Sequence, residues 1–484
     1  MRRPERRLHF RSGRGPERAL WLQEALEGER DLPSLTGDEH AAVCIVGGGY
    51  TGLWTALRLK ELEPALDVAI VEADICGGGP SGRNGGFMEP WWVKYFALKD
   101  LCGADEAVRL ALATVEAIDE IERFCQHHGI DAHLRRDGWL WTASNRAQIG
   151  AWEPTIRAAA AHGYEPFREL DARELRELSG TAHHLAGILE QDGATVHPAR
   201  LARGMRRVAL ERGVRIYEHS PVTQLHRGRP PTVKTTAGSI TADRLVLAMG
   251  AWTNQVHELR NAYTTIATDM VATERMPERL AEIGLTTGVG ISDSRMLINY
   301  YRTTIDGRIA WGKGGGTLAF GGWIGAGLQG VSPRPHEVSD SLLWLYPNLA
   351  GVRFTHSWTG PIDRSVAGLP FFSRLGGRED IVFGAGYSGN GVVPSYLGGR
   401  VLASLVLRRD DEWSNAGVVR DPVGRFPPEP LRYVGGLVVR GAVARRERAE
   451  DAGGRPDLPT KFISTLAPPG PSEPRSSTSR WLFR

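Results

Sequence analysis

The chain has 484 residues, of which 41% are hydrophobic and 24% charged, the profile of a folded globular protein with room for two or three packed units. Fifty-nine Lys and Arg against 56 Asp and Glu leave a formal net charge of +3, too little for a dedicated nucleic-acid binder. No apolar run reaches the roughly eighteen residues of a membrane-spanning helix, and the 4 cysteines (Cys44, Cys76, Cys102, Cys125) contain no C-x-x-C pair for a zinc site or disulfide framework.

Arg2, Arg3, Arg6, Arg7, Arg11 and Arg14 mark residues 1–40 as a basic arm. No apolar stretch follows Arg2-Arg3, so the pattern is not that of an export signal, and a cytoplasmic protein is expected. The apolar run 42–46 predicts a buried parallel strand, 51–62 a helix closed by Pro64, and 68–71 a second strand. A glycine-dense stretch, 77–86, comes next. Helices are expected over 104–128, 146–161 and 197–211, with a strand at 138–142 between the first two. The block 214–248 reads as β-rich with a hairpin turn at Ala237-Gly238, and 245–252 as an apolar strand ending at Gly250. Short strands alternate with Gly-rich turns over 264–322. A last apolar strand, 380–383, leads into glycines at 384–391 and a helix at 398–407. Residues 437–450 read as a helix with an Arg-rich face, and the Pro- and Ser-rich stretch from 467 as a disordered tail.

Gly47, Gly49 and Gly52 form a G-x-G-x-x-G pattern between a predicted strand and a predicted helix. The first glycine permits the tight turn, the second lets backbone approach a pyrophosphate, and the third lets helix and strand pack closely. Tyr50 and Thr51 then open a helix whose free N–H groups and positive dipole end point at phosphate. Glu72 stands 20 residues past Gly52, at the end of the second strand. A carboxylate there accepts hydrogen bonds from ribose hydroxyls and repels a 2′-phosphate, which favours FAD or NAD over NADP.

Two further loops separate those cofactors. An NAD dehydrogenase would continue with strand–helix units after Glu72, whereas here Gly77 to Gly86 supplies a second glycine loop. A third, Gly384 to Gly391, precedes a helix late in the chain and can offer amides to a distant part of an extended cofactor.

In combination, V-G-G-G-Y-T-G-L-W-T-A, S-G-R-N-G-G and G-Y-S-G-N-G-V resemble the D-amino-acid oxidase superfamily of FAD-dependent oxidoreductases, the group containing glycine and sarcosine oxidases; within it they are closest to bacterial γ-glutamylputrescine oxidase-like proteins. The resemblance runs from about Trp21 to about Leu407. It implies an α/β fold: a Rossmann-type FAD-binding domain, discontinuous in sequence, with a second α+β substrate domain whose antiparallel sheet covers the flavin. The corresponding boundaries are 41–100, 196–255 and 356–410 for the FAD-binding domain, 101–195 and 256–355 for the substrate domain, and 411–466 for a C-terminal extension. Carried over residue by residue, Gly47, Gly49 and Gly52 would hold the pyrophosphate and Glu72 the ribose. Ser81, Gly82, Arg83, Asn84 and Gly85 would lie along pyrophosphate and flavin, and Val222 would sit on a strand contacting adenine. Gly250 and Trp252 match a family turn. Gly386, Ser388, Gly389, Asn390 and Gly391 would approach the flavin pyrimidine, with Asn390 where many relatives carry histidine. No cysteine near Gly312 to Gly316 or beyond matches the anchor of covalent relatives, so FAD is expected to bind non-covalently.

The implied reaction moves a hydride from an amine carbon to flavin; the imine hydrolyses, and electrons pass to oxygen or another acceptor. On the predicted hairpin around Asp306-Gly307, Arg302 could hold a substrate carboxylate and Tyr300 or Tyr301 could add a hydroxyl; the plainer reading has Arg302 facing solvent. Lys313 could assist electron transfer to oxygen or simply sit at a surface turn. Trp91-Trp92 could wall an amine pocket or pack in the core, and Arg364 could pair with its neighbour Asp363. His127-His128 and His183-His184 are adjacent pairs that diverge on any regular element, and no metal site is expected. An NAD-linked dehydrogenase of alcohols or hydroxy acids, and a non-catalytic FAD-bound subunit of an electron-transfer assembly, remain the alternatives.

Overall fold

A computed structural model describes residues 19–467, so the expected arm residues Arg2 to Arg14 and nearly all of the expected tail lie outside the described residues. Two eight-stranded sheets organise the chain. The first is built on Gly37–Val46, which pairs in parallel with Gly238–Leu247 on one side and Val68–Val71 on the other. Those neighbours pair onward, again in parallel, with Ile381–Ala385 and Arg215–Tyr217. Burial on both faces is why these strands read as unbroken apolar runs: Val43, Cys44, Ile45 and Val68 through Ile70 are all at 0% exposure. Strand order reverses beside Gly37–Val46, and a crevice opens there at the carboxyl ends of the strands, where α/β sheets take ligands. The helix Tyr50–Leu62 starts at that crevice and packs on Pro394–Leu407 and Pro198–Glu211.

The second sheet is antiparallel except for one parallel pair, Gly290–Asp293 with Trp139–Ala143. Asn299–Thr303 and Ile309–Lys313 form a hairpin around Asp306-Gly307, as the turn residues predict. Side chains alternate between its faces. One face buries Val271, Tyr301 and Trp311 against Val338 and Leu342 of the helix Pro335–Leu345. The other turns Tyr300, Met270, Ala310 and Trp358 toward the nucleotide half, where Trp21 meets them. The long helix Leu431–Asp451 docks on this sheet: buried Arg295 reaches Asp293 at 2.8 Å and Asp451 at 2.6 Å, and Glu447 accepts the Leu297 N–H at 2.9 Å.

Several boundaries differ from the sequence reading. Residues 19–26 are not part of an arm, because Leu20–Ala25 is a helix that buries Leu20, Trp21 and Leu22. The helix expected over 146–161 breaks into a short turn, Arg146–Gln148, and Glu153–Ala160; Gly150 takes φ +79 and Pro154 starts a new first turn. The helix expected at 398–407 begins earlier, at Pro394, where a missing N–H costs nothing. The strand expected over 245–252 stops at Leu247 and gives way to the 3-10 turn Gly250–Gln255. Phe354–Ser365 belongs to the second sheet, paired with Tyr263–Thr273 from Ser365↔Tyr263 to Phe354↔Thr273, whereas the sequence boundaries assign 356–410 to the nucleotide half. Among the described residues no helix is long and apolar enough to cross a membrane, and no group of His, Cys, Asp and Glu could hold a metal ion.

Candidate functional site

Three glycine loops meet at the crevice. The first leaves Gly37–Val46 so tightly that a Cβ on Gly47, at φ +109, would stand 2.4 Å from the Ala248 carbonyl oxygen. A Cβ on Gly52 would stand 2.0 Å from the Gly47 carbonyl oxygen, so helix and strand approach as closely as backbone allows. Glu72 braces this loop: its carboxylate accepts the Gly48 N–H at 2.7 Å and the Asp74 N–H at 2.9 Å. Burial pushes its pKa up, and those two amides oppose the shift. The second loop closes on the first through Ser81, whose Oγ accepts the Tyr50 N–H at 2.9 Å. Asn84 shapes its far end, donating Nδ2 to the Ser81 carbonyl at 2.9 Å and accepting the Gly86 N–H at 2.7 Å. Arg83 Nε donates to Gly78 O at 2.8 Å, Trp358 Nε1 donates to Arg83 O at 2.7 Å, and Gly82 packs over the Gly77 carbonyl. Gly85 lies under Tyr300.

The late loop joins both. Thr51 Oγ1 donates to the Tyr387 hydroxyl at 2.8 Å, and Asn390 Nδ2 donates to Glu89 at 3.1 Å. Asp363 anchors this loop, accepting the Gly386 N–H at 2.6 Å, while its own carbonyl accepts the Ser388 N–H at 3.1 Å. Burial raises Asp363 to about 6. The local Arg364–Asp363 pair is therefore not how that carboxylate is used; adjacent strand residues point to opposite faces. Gly389, at φ +92, and Gly391 complete the turn into Pro394–Leu407. Gly250 and Trp252 border the crevice, with Trp252 3.8 Å from where a Cβ on Gly79 would stand. Val222 is not on a strand: it lies in the irregular stretch between Arg215–Tyr217 and Gln224–His226, after Pro221, half-buried against the core of the first sheet.

The residues singled out on the sheet separate by face. Tyr300 looks toward the glycine loops, its hydroxyl 2.8 Å from Thr268 Oγ1 and its ring edge-on to Phe87 at 5.9 Å. Arg302 shares that face but is 3% exposed, which rules out the solvent-facing reading. Its Nε donates to the Gly85 carbonyl at 2.9 Å and its Nη2 to the Val196 carbonyl at 2.6 Å, over the Trp21 ring at 5.0 Å. Burial, helped by the charge of Arg135, lowers it to about 9. The guanidinium thus ties the second glycine loop to the chain at Val196. Tyr301 points the other way, stacked on Trp311 at 4.3 Å, with its hydroxyl 2.8 Å from both Tyr346 Oη and His184 Nε2. Lys313 shares that far face and donates to Asn299 Oδ1 at 3.1 Å. Tyr301→Phe is expected to cost about 1–3 kcal/mol in a denaturant titration, with ligand binding in the crevice unchanged.

A family model described as FAD dependent oxidoreductase (DAO) matches residues 42–405. The chain belongs to this FAD-dependent oxidoreductase family. Gamma-glutamylputrescine oxidoreductase of Escherichia coli (strain K12) is 31% identical over 399 residues, 81% of this chain and 90% of that protein. Glycine oxidase of Pseudomonas putida is 24% identical over 368 residues, 72% of this chain and 90% of that one. Among solved structures, glycine oxidase from Geobacillus kaustophilus matches with a TM-score of 0.66 at 19% identity, covering 79% of this chain and 98% of its own. L-amino acid deaminase from Proteus vulgaris matches at 0.61 and 20%, covering 79% and 94%. The mixed α/β fold of this FAD-dependent oxidoreductase is the one those structures share.

The NAD-linked alternative falls with that membership: the cofactor is FAD. The crevice fits it, since Gly47 and Gly52 sit where no side chain could, the first turn of Tyr50–Leu62 has amides to spare, and Glu72 suits a ribose without a 2′-phosphate. Three residues of the site escape the sequence reading. Asp363 is the loop anchor. Glu89 and Lys94 lie just beyond the second glycine loop, half-buried beside fully buried Met88 and Trp91-Trp92, which pack in the core. The available signal was a charged residue standing inside the apolar run F-M-E-P-W-W-V.

Proposed function

We propose that this FAD-dependent oxidoreductase oxidises the C–N bond of a primary or secondary amine, an amino acid or an amine conjugate. The observation that carries this is the likeness to gamma-glutamylputrescine oxidoreductase across nearly the whole of both chains; glycine oxidase and L-amino acid deaminase among the similar proteins also act on amino compounds by name. Bound flavin supplies the redox chemistry, accepting the two electrons of the amine C–H bond. The protein's part is to hold cofactor and substrate in line and keep water out. In this reading the amides of Gly49, Thr51 and Gly52 would hold the pyrophosphate, with the Tyr50 N–H fixing the second loop through Ser81; Glu72 would hold the ribose, and the stretch around Val222, Gly250 and Trp252 would flank the adenosine. Ser81 to Gly85 and Gly386 to Gly391 bracket the isoalloxazine, and Tyr300 roofs the substrate side. FAD is held non-covalently; Cys76, the cysteine nearest the first glycine loop, is buried against Gly48 at the ribose end. Electrons leave to oxygen or another acceptor, in the cytoplasm.

Anaerobic addition of amines tests the reading. Glycine, sarcosine and γ-glutamylputrescine head the panel, and at least one amine is expected to bleach the flavin absorbance. A fully loaded protein that no amine bleaches overturns it.

A further inference from the structure

We propose that Glu89 receives the cationic nitrogen of the substrate and takes its proton, an assignment that rests on the amine-oxidising function above. Glu89 follows the short strand Phe87–Met88, directly after the second glycine loop, and its Oε2 accepts Asn390 Nδ2 of the late loop at 3.1 Å. It therefore stands where two of the three loops meet. Burial alternates along this stretch: Phe87 and Glu89 are half-buried while Met88 between them is fully enclosed in the core. Phe87, two residues before Glu89, meets Tyr300 across the gap between loop and sheet. Among the described residues the Asn390 amide is the hydrogen-bond donor to this carboxylate, which leaves Oε1 for a ligand.

The charged groups around it come from three elements. Lys94 stands at the end of the turn Trp91–Lys94, Arg364 on Phe354–Ser365 beside Lys94, and Glu190 at the end of Ala186–Glu190. Burial raises Glu89 to about 7, and Lys94 pulls it back down. Glu190 is pushed up by burial and, at 1% exposure, offers no accessible oxygen to a cation. Glu89 is thus the ionisable acid of this region, poised near the working pH of a general base.

The chemistry requires such a group. An alkylammonium holds its nitrogen lone pair in an N–H bond, and its α C–H cannot leave as hydride until that pair is free. The proton moves from R–CH2–NH3+ to the Glu89 carboxylate, giving R–CH2–NH2 and the carboxylic acid. With the lone pair freed by Glu89 to form C=N, bound FAD would supply the acceptor for the α hydride and its electron pair.

The test uses tert-butylammonium, which has no C–H on its amine carbon and cannot be oxidised. It is titrated into FAD-loaded protein and followed by flavin absorbance and by calorimetry. Wild type is expected to bind it, more weakly as pH falls through about 7, because the folded Glu89 then protonates; neutral tert-butanol should not bind. Glu89→Gln should weaken binding by about tenfold or more and abolish that pH limb. Lys94→Met, which removes the nearby cation, should tighten binding and move the limb to higher pH, and this arm stands even if the first variant does not fold. Unchanged affinity and pH dependence in either variant overturns the assignment, as does a wild-type protein that does not bind the ammonium. Glu89-dependent binding in a protein bleached by no amine would uphold the cation site and sink only the amine-oxidising reading. Bleaching unaffected by Glu89→Gln would do the reverse.

Discussion

Gly52→Ala is expected to yield a folded protein that purifies nearly colourless. The added Cβ would stand 2.0 Å from the Gly47 carbonyl oxygen, a backbone atom that cannot swing aside. The helix Tyr50–Leu62 is buried on almost every side, with Leu53, Ala56 and Leu59 at 0% exposure, so it cannot simply rotate. It must lift from the sheet by about 1 Å, an overpacking that costs roughly 1–3 kcal/mol. The larger consequence is for the amides of its first turn, which move away from the phosphates they hold under the proposed function. Displacement of that size costs about a hundredfold where geometry decides binding, so flavin content after dialysis should fall below about a tenth of wild type. Gly435→Ala, with open space around the new Cβ on the helix Leu431–Asp451, is the matched control and should stay yellow. A Gly52→Ala protein with normal flavin content would mean the first loop does not carry the cofactor.

Arg302→Met should destabilise the protein before any substrate is added. The side chain gives one charge-assisted hydrogen bond to Gly85 O and another to Val196 O from a site that is 3% exposed. Each such bond is worth about 1.5–3 kcal/mol. Relief from burying a charge without a carboxylate partner offsets part of the loss, leaving a net cost of about 2–4 kcal/mol. Chemical denaturation of the variant should show it, together with weaker FAD retention, because Gly85 belongs to the second glycine loop. If Arg302 instead serves mainly as a carboxylate clamp, the variant will keep its stability and show a raised KM confined to carboxylate-bearing amines. The two outcomes do not overlap.

What could be read from the sequence follows from what leaves a local signature. The strand–glycine–helix–strand–acid order around Gly47 and Glu72 is local, and its backbone geometry admits few alternatives. The apolar strands at Val68–Val71 and Ile381–Ala385 are legible because burial on both faces erases alternation. Which of Tyr300, Tyr301, Arg302 and Lys313 face the crevice was not legible, since both faces of that strand pair are buried and the period-2 pattern carries no polarity contrast. Only the helix Pro335–Leu345, itself unread, marks one face as the far side. Glu89 and Asp363 were missed for another reason: an acid earns notice by its spatial neighbours, and theirs arrive from about 300 and 23 positions away. The short helix Ala172–Ser179 went unread although Asp171 and Glu174, which form a capping box, stood three residues apart in the sequence.

The order of strands in the first sheet has a consequence for biosynthesis. Gly37–Val46 emerges early from the ribosome, yet its neighbour Gly238–Leu247 follows some two hundred positions later, and Ile381–Ala385 beyond that later still. Contacts so distant along the chain form slowly. The first sheet gains this strand only once Ile381–Ala385 has been translated, so the nascent protein carries that sheet half-made until then.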